Sequence, residues 1–77
     1  MKLTNYEQEV KSILQDCTGY SFVKIDGEGE VVYELIDLHG DVDGDAFEDF
    51  DDLVSYICHN SDVDDAIYDL NKEYTYF

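Results

Sequence analysis

The sequence predicts an α+β fold: a small antiparallel sheet of two or three strands packed on three helices, in the order α-β-β-(β)-α-α. Apolar residues recur at helical spacing once near the N-terminus and twice in the C-terminal half, and two strand-like segments flank a glycine turn between them. The 77 residues form one domain, 1–77, with no repeat or linker. Hydrophobic residues make up 44% of the chain, which is ordinary for a folded protein despite the charge. A domain of this size buries only about 60% of the surface its unfolded chain exposes, so the core is thin. Seven tyrosines and four phenylalanines supply much of it.

Thr4 and Glu7 have the spacing of a capping box, in which hydroxyl and carboxylate each satisfy an orphan amide of the first turn. Tyr6, Val10, Ile13, Leu14 and Cys17 then follow on one helical face, and Gly19 ends the helix where a left-handed conformation is cheap. Residues 20–26 and 30–38 read as strands around Asp26-Gly27-Glu28-Gly29. An even-numbered loop is expected, with Phe22 opposite Tyr33 and Tyr20 opposite Leu35, because a three-residue loop would set Asp26 against Glu30. The other face then carries Val23 and Ile25 against Val32 and Glu30, and is half exposed.

Residues 39–45 form a polar loop with at most one short third strand around Val42. Asp45 with Glu48 resembles a second N-terminal cap, followed by Phe47, Phe50, Leu53, Val54, Ile57 and Cys58 at helical spacing, with Asn60 at the stop. Ser61 opens a third helix, with Asp62, Asp64 and Asp65 at the positive end of its dipole and an apolar stripe of Val63, Ala66, Ile67, Leu70 and Tyr74.

Charge is the outlying property. Twenty acidic residues face four lysines, at positions 2, 11, 24 and 72, for a net charge of −16; residues 26–69 hold sixteen Asp or Glu and no Lys or Arg. Such a field repels nucleic acid and anionic membranes and attracts basic proteins and cations. Solubility in a small domain needs a net charge of only about 2–8, although a halophilic cytoplasm also selects acidic surfaces. The N-terminus has no apolar leader and no run reaches membrane-spanning length, so a cytoplasmic location is expected, the host cytoplasm if the gene is carried by a phage.

Specific chemistry is sparse. Asp41-Val42-Asp43-Gly44-Asp45 begins like an EF-hand loop, but Ala46 stands where the turn needs glycine and Asp52 where the loop needs its closing glutamate. Cys17, Cys58, His39 and His59 are scattered rather than spaced for zinc, and the two cysteines are expected to be buried free thiols. No phosphate loop, nucleophile elbow or walled carboxylate pair is legible, so neither an enzyme nor a cofactor is expected.

The acidic surface itself remains. Duplex DNA carries one charge per roughly 1.7 Å of axis, and a helix rises about 1.5 Å per residue, so Glu48, Asp49, Asp51 and Asp52 reach a comparable density on a helix. With Asp41, Asp43, Asp45, Asp62, Asp64, Asp65 and Asp69 they form a candidate partner-binding set able to imitate a phosphate track. A surface selected for solubility alone normally mixes signs, and this one does not. Tyr56, Tyr68, Tyr74 and Tyr76 add amphipathic contact area among the acids, with one or more of them expected in the core.

In size, charge and element order the chain resembles the small acidic anti-CRISPR and related DNA-mimic inhibitors of phages and mobile elements. It is most similar to the acidic Cas9 inhibitors with an N-terminal helix, a small antiparallel sheet and two C-terminal helices. The acidic residues 41–52 and 62–65 carry the likeness. The resemblance implies a partner that is a basic nucleic-acid-binding protein, a CRISPR effector nuclease whose PAM-reading site the carboxylates would fill, with no direct nucleic-acid or membrane binding. Two alternatives share the electrostatics: a mimic aimed at a restriction enzyme, glycosylase or nucleoid protein, and an immunity or antitoxin protein that plugs a nuclease toxin. An acidic housekeeping or weakly calcium-responsive domain has no basic partner.

Overall fold

The computed structural model describes residues 3–74, with α1 (Asn5–Thr18), β1 (Ser21–Asp26), β2 (Val31–Ile36), α2 (Phe50–Ile57) and α3 (Ser61–Tyr74) in that order. The α+β class and the helix and strand order are those the sequence predicts. The sheet has two strands.

The capping box opens α1 as expected. The Glu7 amide donates to Thr4 Oγ1 at 3.2 Å, and the Thr4 amide donates to Glu7 Oε1 at 2.8 Å. Gly19 ends the helix at φ 83°, its amide donating to the Gln15 carbonyl at 2.9 Å. A Cβ at this position would stand 2.4 Å from Leu38 Cδ2. Leu38 is exposed and able to swing aside, so the backbone conformation carries most of the cost. Gly19→Ala is expected to lower stability by about 1–2 kcal/mol, the penalty of an L-residue in the left-handed region. Gly29→Ala, at φ 78° with open space around it, is the control for the backbone contribution alone. A denaturation midpoint for Gly19→Ala equal to wild type would remove the capping role.

The hairpin pairs Phe22 with Leu35, Lys24 with Tyr33, Ile25 with Val32 and Asp26 with Val31. This is two residues away from the expected register. The loop takes in Gly27 to Glu30, closed by the Gly27 amide donating to the Glu30 carbonyl at 2.8 Å. The wider loop takes Glu30 off the ladder and gives Ile25 an apolar partner in its place. A slip of two preserves which side chains share a face. Phe22, Tyr33 and Leu35 accordingly lie buried toward the helices, while Val23 and Ile25 stay partly exposed on the other side.

No third strand forms among the described residues. Two isolated antiparallel bridges, Ile36 with Val42 and Tyr33 with Phe47, pin the connecting segment to the free edge of β2. Between the bridges β2 advances from Ile36 back to Tyr33 while the connection runs from Val42 to Phe47, so it bulges outward, with Gly44 at φ 79°. At its start Asp37 Oδ1 accepts from the His39 and Asp41 amides at 2.8 and 3.0 Å, which lowers the Asp37 pKa.

Phe47 belongs to this bridge and not to a helix, and α2 starts at Phe50 with Asp49 as its cap, Oδ1 accepting from the Asp51 amide at 3.1 Å. The Asp45–Glu48 cap is therefore displaced: backbone pairing of Phe47 with Tyr33 holds this stretch extended and delays the helix. α2 ends at Ile57 with Cys58 as its C-cap, two residues before the expected Asn60, which instead caps α3, accepting from the Asp62 and Val63 amides at 3.0 and 3.2 Å.

The core comprises Val10, Leu14, Phe22, Tyr33, Leu35, Leu53, Ile57, Val63, Ile67 and Leu70. Phe50 packs into it, its ring 5.6 Å from Phe22 and 5.1 Å from Tyr33. Tyr6 ties α1 to α3, its hydroxyl donating to Asn71 and its ring meeting Tyr74 edge-on at 5.1 Å. Both cysteines are free, but Cys17 is exposed rather than buried and Cys58 is half-buried. The α1 stripe is narrower than the spacing implied, because its core face centres on Glu7, Val10 and Leu14 and turns Cys17 outward.

Candidate functional site

All eleven carboxylates of the candidate set, Asp41, Asp43, Asp45, Glu48, Asp49, Asp51, Asp52, Asp62, Asp64, Asp65 and Asp69, are exposed. Their backbones differ. Asp41, Asp43 and Asp45 ride the connection along β2, Glu48 and Asp49 precede α2, and Asp51 and Asp52 lie in its first turn. The expected helical run of Glu48 to Asp52 is thus only half helical, for the same reason that the cap is displaced. Asp62, Asp65 and Asp69 follow the one-face spacing of α3. Asp64 turns toward the α2 end, where burial and then its carboxylate push the Cys58 thiol pKa up.

The fold separates the carboxylates at the helix N-termini into two groups. Asp49, Asp51 and Asp52 lie at the start of α2, a helix of eight residues about 12 Å long, and Asp62, Asp64 and Asp65 lie beyond its end. Both groups occupy helix N-termini, where the backbone dipole favours negative charge. Glu48 shares a surface cleft with Glu30, Val31 and Val32, which adds Glu30 to the acidic surface. That neighbour was not in the candidate set, and only the extended backbone before α2 brings it there.

Among the described residues the one ion pair is Lys24–Glu7, so none of the eleven carboxylates is neutralised by a salt bridge. Self-repulsion follows. The melting temperature is expected to rise as monovalent salt increases from low to physiological ionic strength, where the screening length contracts to about 8 Å. A flat or falling melting temperature over that range would mean that the charges do not interact at these separations.

Tyr56, Tyr68 and Tyr74 are all substantially exposed, so none of these three is the core residue expected among them. The core tyrosine is Tyr33, whose position on the inward face of the hairpin buries it. Tyr76 lies outside the described residues.

Sequence reasoning read Glu7 only as a helix cap and missed a buried polar network. Glu7 Oε1 accepts from Lys24 Nζ at 2.9 Å, and Glu7 Oε2 accepts from the Tyr33 hydroxyl at 2.6 Å. The Lys24 and Glu7 side chains retain only 11% and 7% of their exposure. Burial alone would raise the Glu7 pKa; the Thr4 amide, the Tyr33 hydroxyl and the Lys24 ammonium overcome it and hold the carboxyl at about 2. Burial, then donation to Glu7, pushes the Tyr33 hydroxyl up to about 12. The available signal was parity: Lys24 shares its face with Phe22, and an inward lysine requires an inward acid.

Among the described residues no group of three or more His, Cys, Asp or Glu side chains is arranged to hold a metal ion, and no helix is long and apolar enough to cross a membrane. No protein-family model matches the chain, and no curated protein or solved structure is significantly similar to it.

Proposed function

We propose that this protein binds a basic nucleic-acid-binding protein, a nuclease in the first instance, and that its carboxylates fill the groove that otherwise holds DNA. The observation that carries the reading is a surface of eleven exposed carboxylates with no salt bridge among the described residues. The fold does not use most of them. α2 and α3 contribute apolar residues to the core, and of the eleven side chains only Asp49 caps a helix. Such a surface attracts a cationic groove over distances beyond contact and accelerates encounter. In its finest form the proposal is occupation of the PAM-reading site of a CRISPR effector nuclease such as Cas9.

Immobilised protein is expected to retain a nucleic-acid-binding protein from a nuclease-bearing lysate, identified by mass spectrometry. Salt should weaken the complex, and duplex DNA carrying the partner's recognition element should displace it. Recovery of a nuclease that DNA does not displace would favour an immunity protein covering an active site. Recovery of no nucleic-acid-binding protein would end the mimic reading.

A further inference from the structure

One concavity differs in chemistry from the carboxylate surface around it. An open groove of about 380 Å³ lies between the end of α1, the start of β1 and the end of α2. Buried Leu14, Leu35 and Ile57 form its floor, Tyr20 and Tyr56 add aromatic surface, and Asp43 is its one carboxylate. The backbone places Asp43, since its amide donates to the Leu35 carbonyl at 2.8 Å and so fixes the bulged connection beside the floor. No lysine lines the groove, and one histidine, His59, does.

We infer that this groove receives an arginine side chain from the partner, with its methylene stem on the Leu14–Leu35–Ile57 floor, its guanidinium plane against Tyr56 and its N–H groups on the Asp43 carboxylate. The inference rests on the proposed function for the partner's being basic, and adds a discrete anchor to a diffuse field. An aliphatic side chain would leave Asp43 and the surrounding negative potential unused. A bare cation would leave the apolar floor unused. Arginine joins an apolar stem to a planar cation that stacks on aromatic rings and pairs with carboxylates through parallel hydrogen bonds. The molecule already sets cations over tyrosines: Lys72 Nζ is 4.5 Å from the Tyr68 ring centroid and Lys24 Nζ 5.8 Å from that of Tyr33. Tyr56 is 50% exposed and, among the described residues, carries no lysine; its neighbours are Phe47 and His59.

The test needs no partner. The isotope-labelled full chain is titrated at constant ionic strength with the N-acetyl amides of arginine, lysine and norleucine, and backbone amide shifts are followed by NMR. Arginine is expected to move the amides of Leu35, Asp43, Tyr56 and Ile57 saturably, and to bind more tightly than either of the others. Asp43→Asn and Tyr56→Ser should each weaken it by roughly three- to fivefold, the worth of one exposed charge or cation–π contact. Equal binding of norleucine would make the groove an unselective apolar slot, and equal binding of lysine would remove the stacking argument. Arginine shifts spread over all the aspartates would reduce the effect to counterion attraction. Each of these results overturns the inference while leaving the proposed function to its own test. If Tyr56→Ser fails to fold, Asp43→Asn, whose side chain is exposed, carries the comparison alone.

Discussion

Replacing Asp49, Asp51 and Asp52 together with Asn is expected to weaken the complex with a basic partner by about 2–5 kcal/mol if those carboxylates are desolvated against cations. If they lie at the rim, the same change should mainly slow association. Folding should survive within about 1 kcal/mol of wild type, because two opposing effects nearly cancel. Neutralisation relieves like-charge repulsion, yet it removes negative charge from the positive end of α2, where Asp51 and Asp52 sit in the first turn. The cap itself persists, since Asn accepts the Asp51 amide as Asp49 does.

Asp62→Asn, Asp65→Asn and Asp69→Asn, introduced together, form the companion triple on α3. The two groups lie at opposite ends of α2, a helix of eight residues about 12 Å long, so the two triples should act additively if one groove embraces both groups. Nuclease cleavage with affinity-isolated partner supplies the readout, and melting curves supply the control for folding. Inhibition by the α2 triple equal to that by wild type would show that this acidic group is not the binding element.

The second large effect concerns stability. Glu7→Gln is expected to destabilise the protein by about 3 kcal/mol at neutral pH, because the carboxyl's fall from its ordinary 4.5 to about 2 corresponds to some 1.4 kcal/mol per unit. It also leaves the Lys24 ammonium buried without its counter-charge. Against the roughly 5–15 kcal/mol that holds a typical domain together, this is a large fraction. The sign of the pH dependence follows from the depressed pKa. The contribution of Glu7 is complete above its unfolded value and is lost as the pH falls through about 2. The stability difference between wild type and Glu7→Gln should therefore be constant above about pH 5, shrink below it and vanish near pH 2.

Tyr33→Phe, which removes only the hydroxyl donor to Glu7, should cost about 1.5–3 kcal/mol, and its effect should be strongly non-additive with Glu7→Gln. Denaturant midpoints over a pH series measure these effects. A wild-type-to-Gln difference that does not change with pH would separate the stability role of Glu7 from its charge.

Several features were legible because they depend on residues a few positions apart. The Thr4–Glu7 box, the Gly19 stop, the apolar stripes of α2 and α3 and the inward face of the hairpin follow from helical and strand periodicity. The candidate carboxylates were legible as a set, and their exposure follows from the cost of burying unpaired charge.

Longer-range features needed the tertiary structure. Hairpin register was not determined, because a slip of two leaves every side chain on its own face and only the loop geometry and the partner of Ile25 separate the alternatives. The start of α2 was misplaced because Phe47 fits an apolar helix stripe as well as a bridge, and the choice lies with its backbone partner Tyr33, distant in sequence. Glu7 reads locally as a cap; its second role exists only where α1 crosses the sheet and meets Lys24 and Tyr33. What the sequence determined by itself was the fold class, the element faces and a strongly one-signed surface. The tertiary structure decided that this surface carries separate acidic groups at the two ends of α2, with a groove of about 380 Å³ at the end of that helix, because the length of α2 and the path of the bulged connection are set by contacts between distant residues.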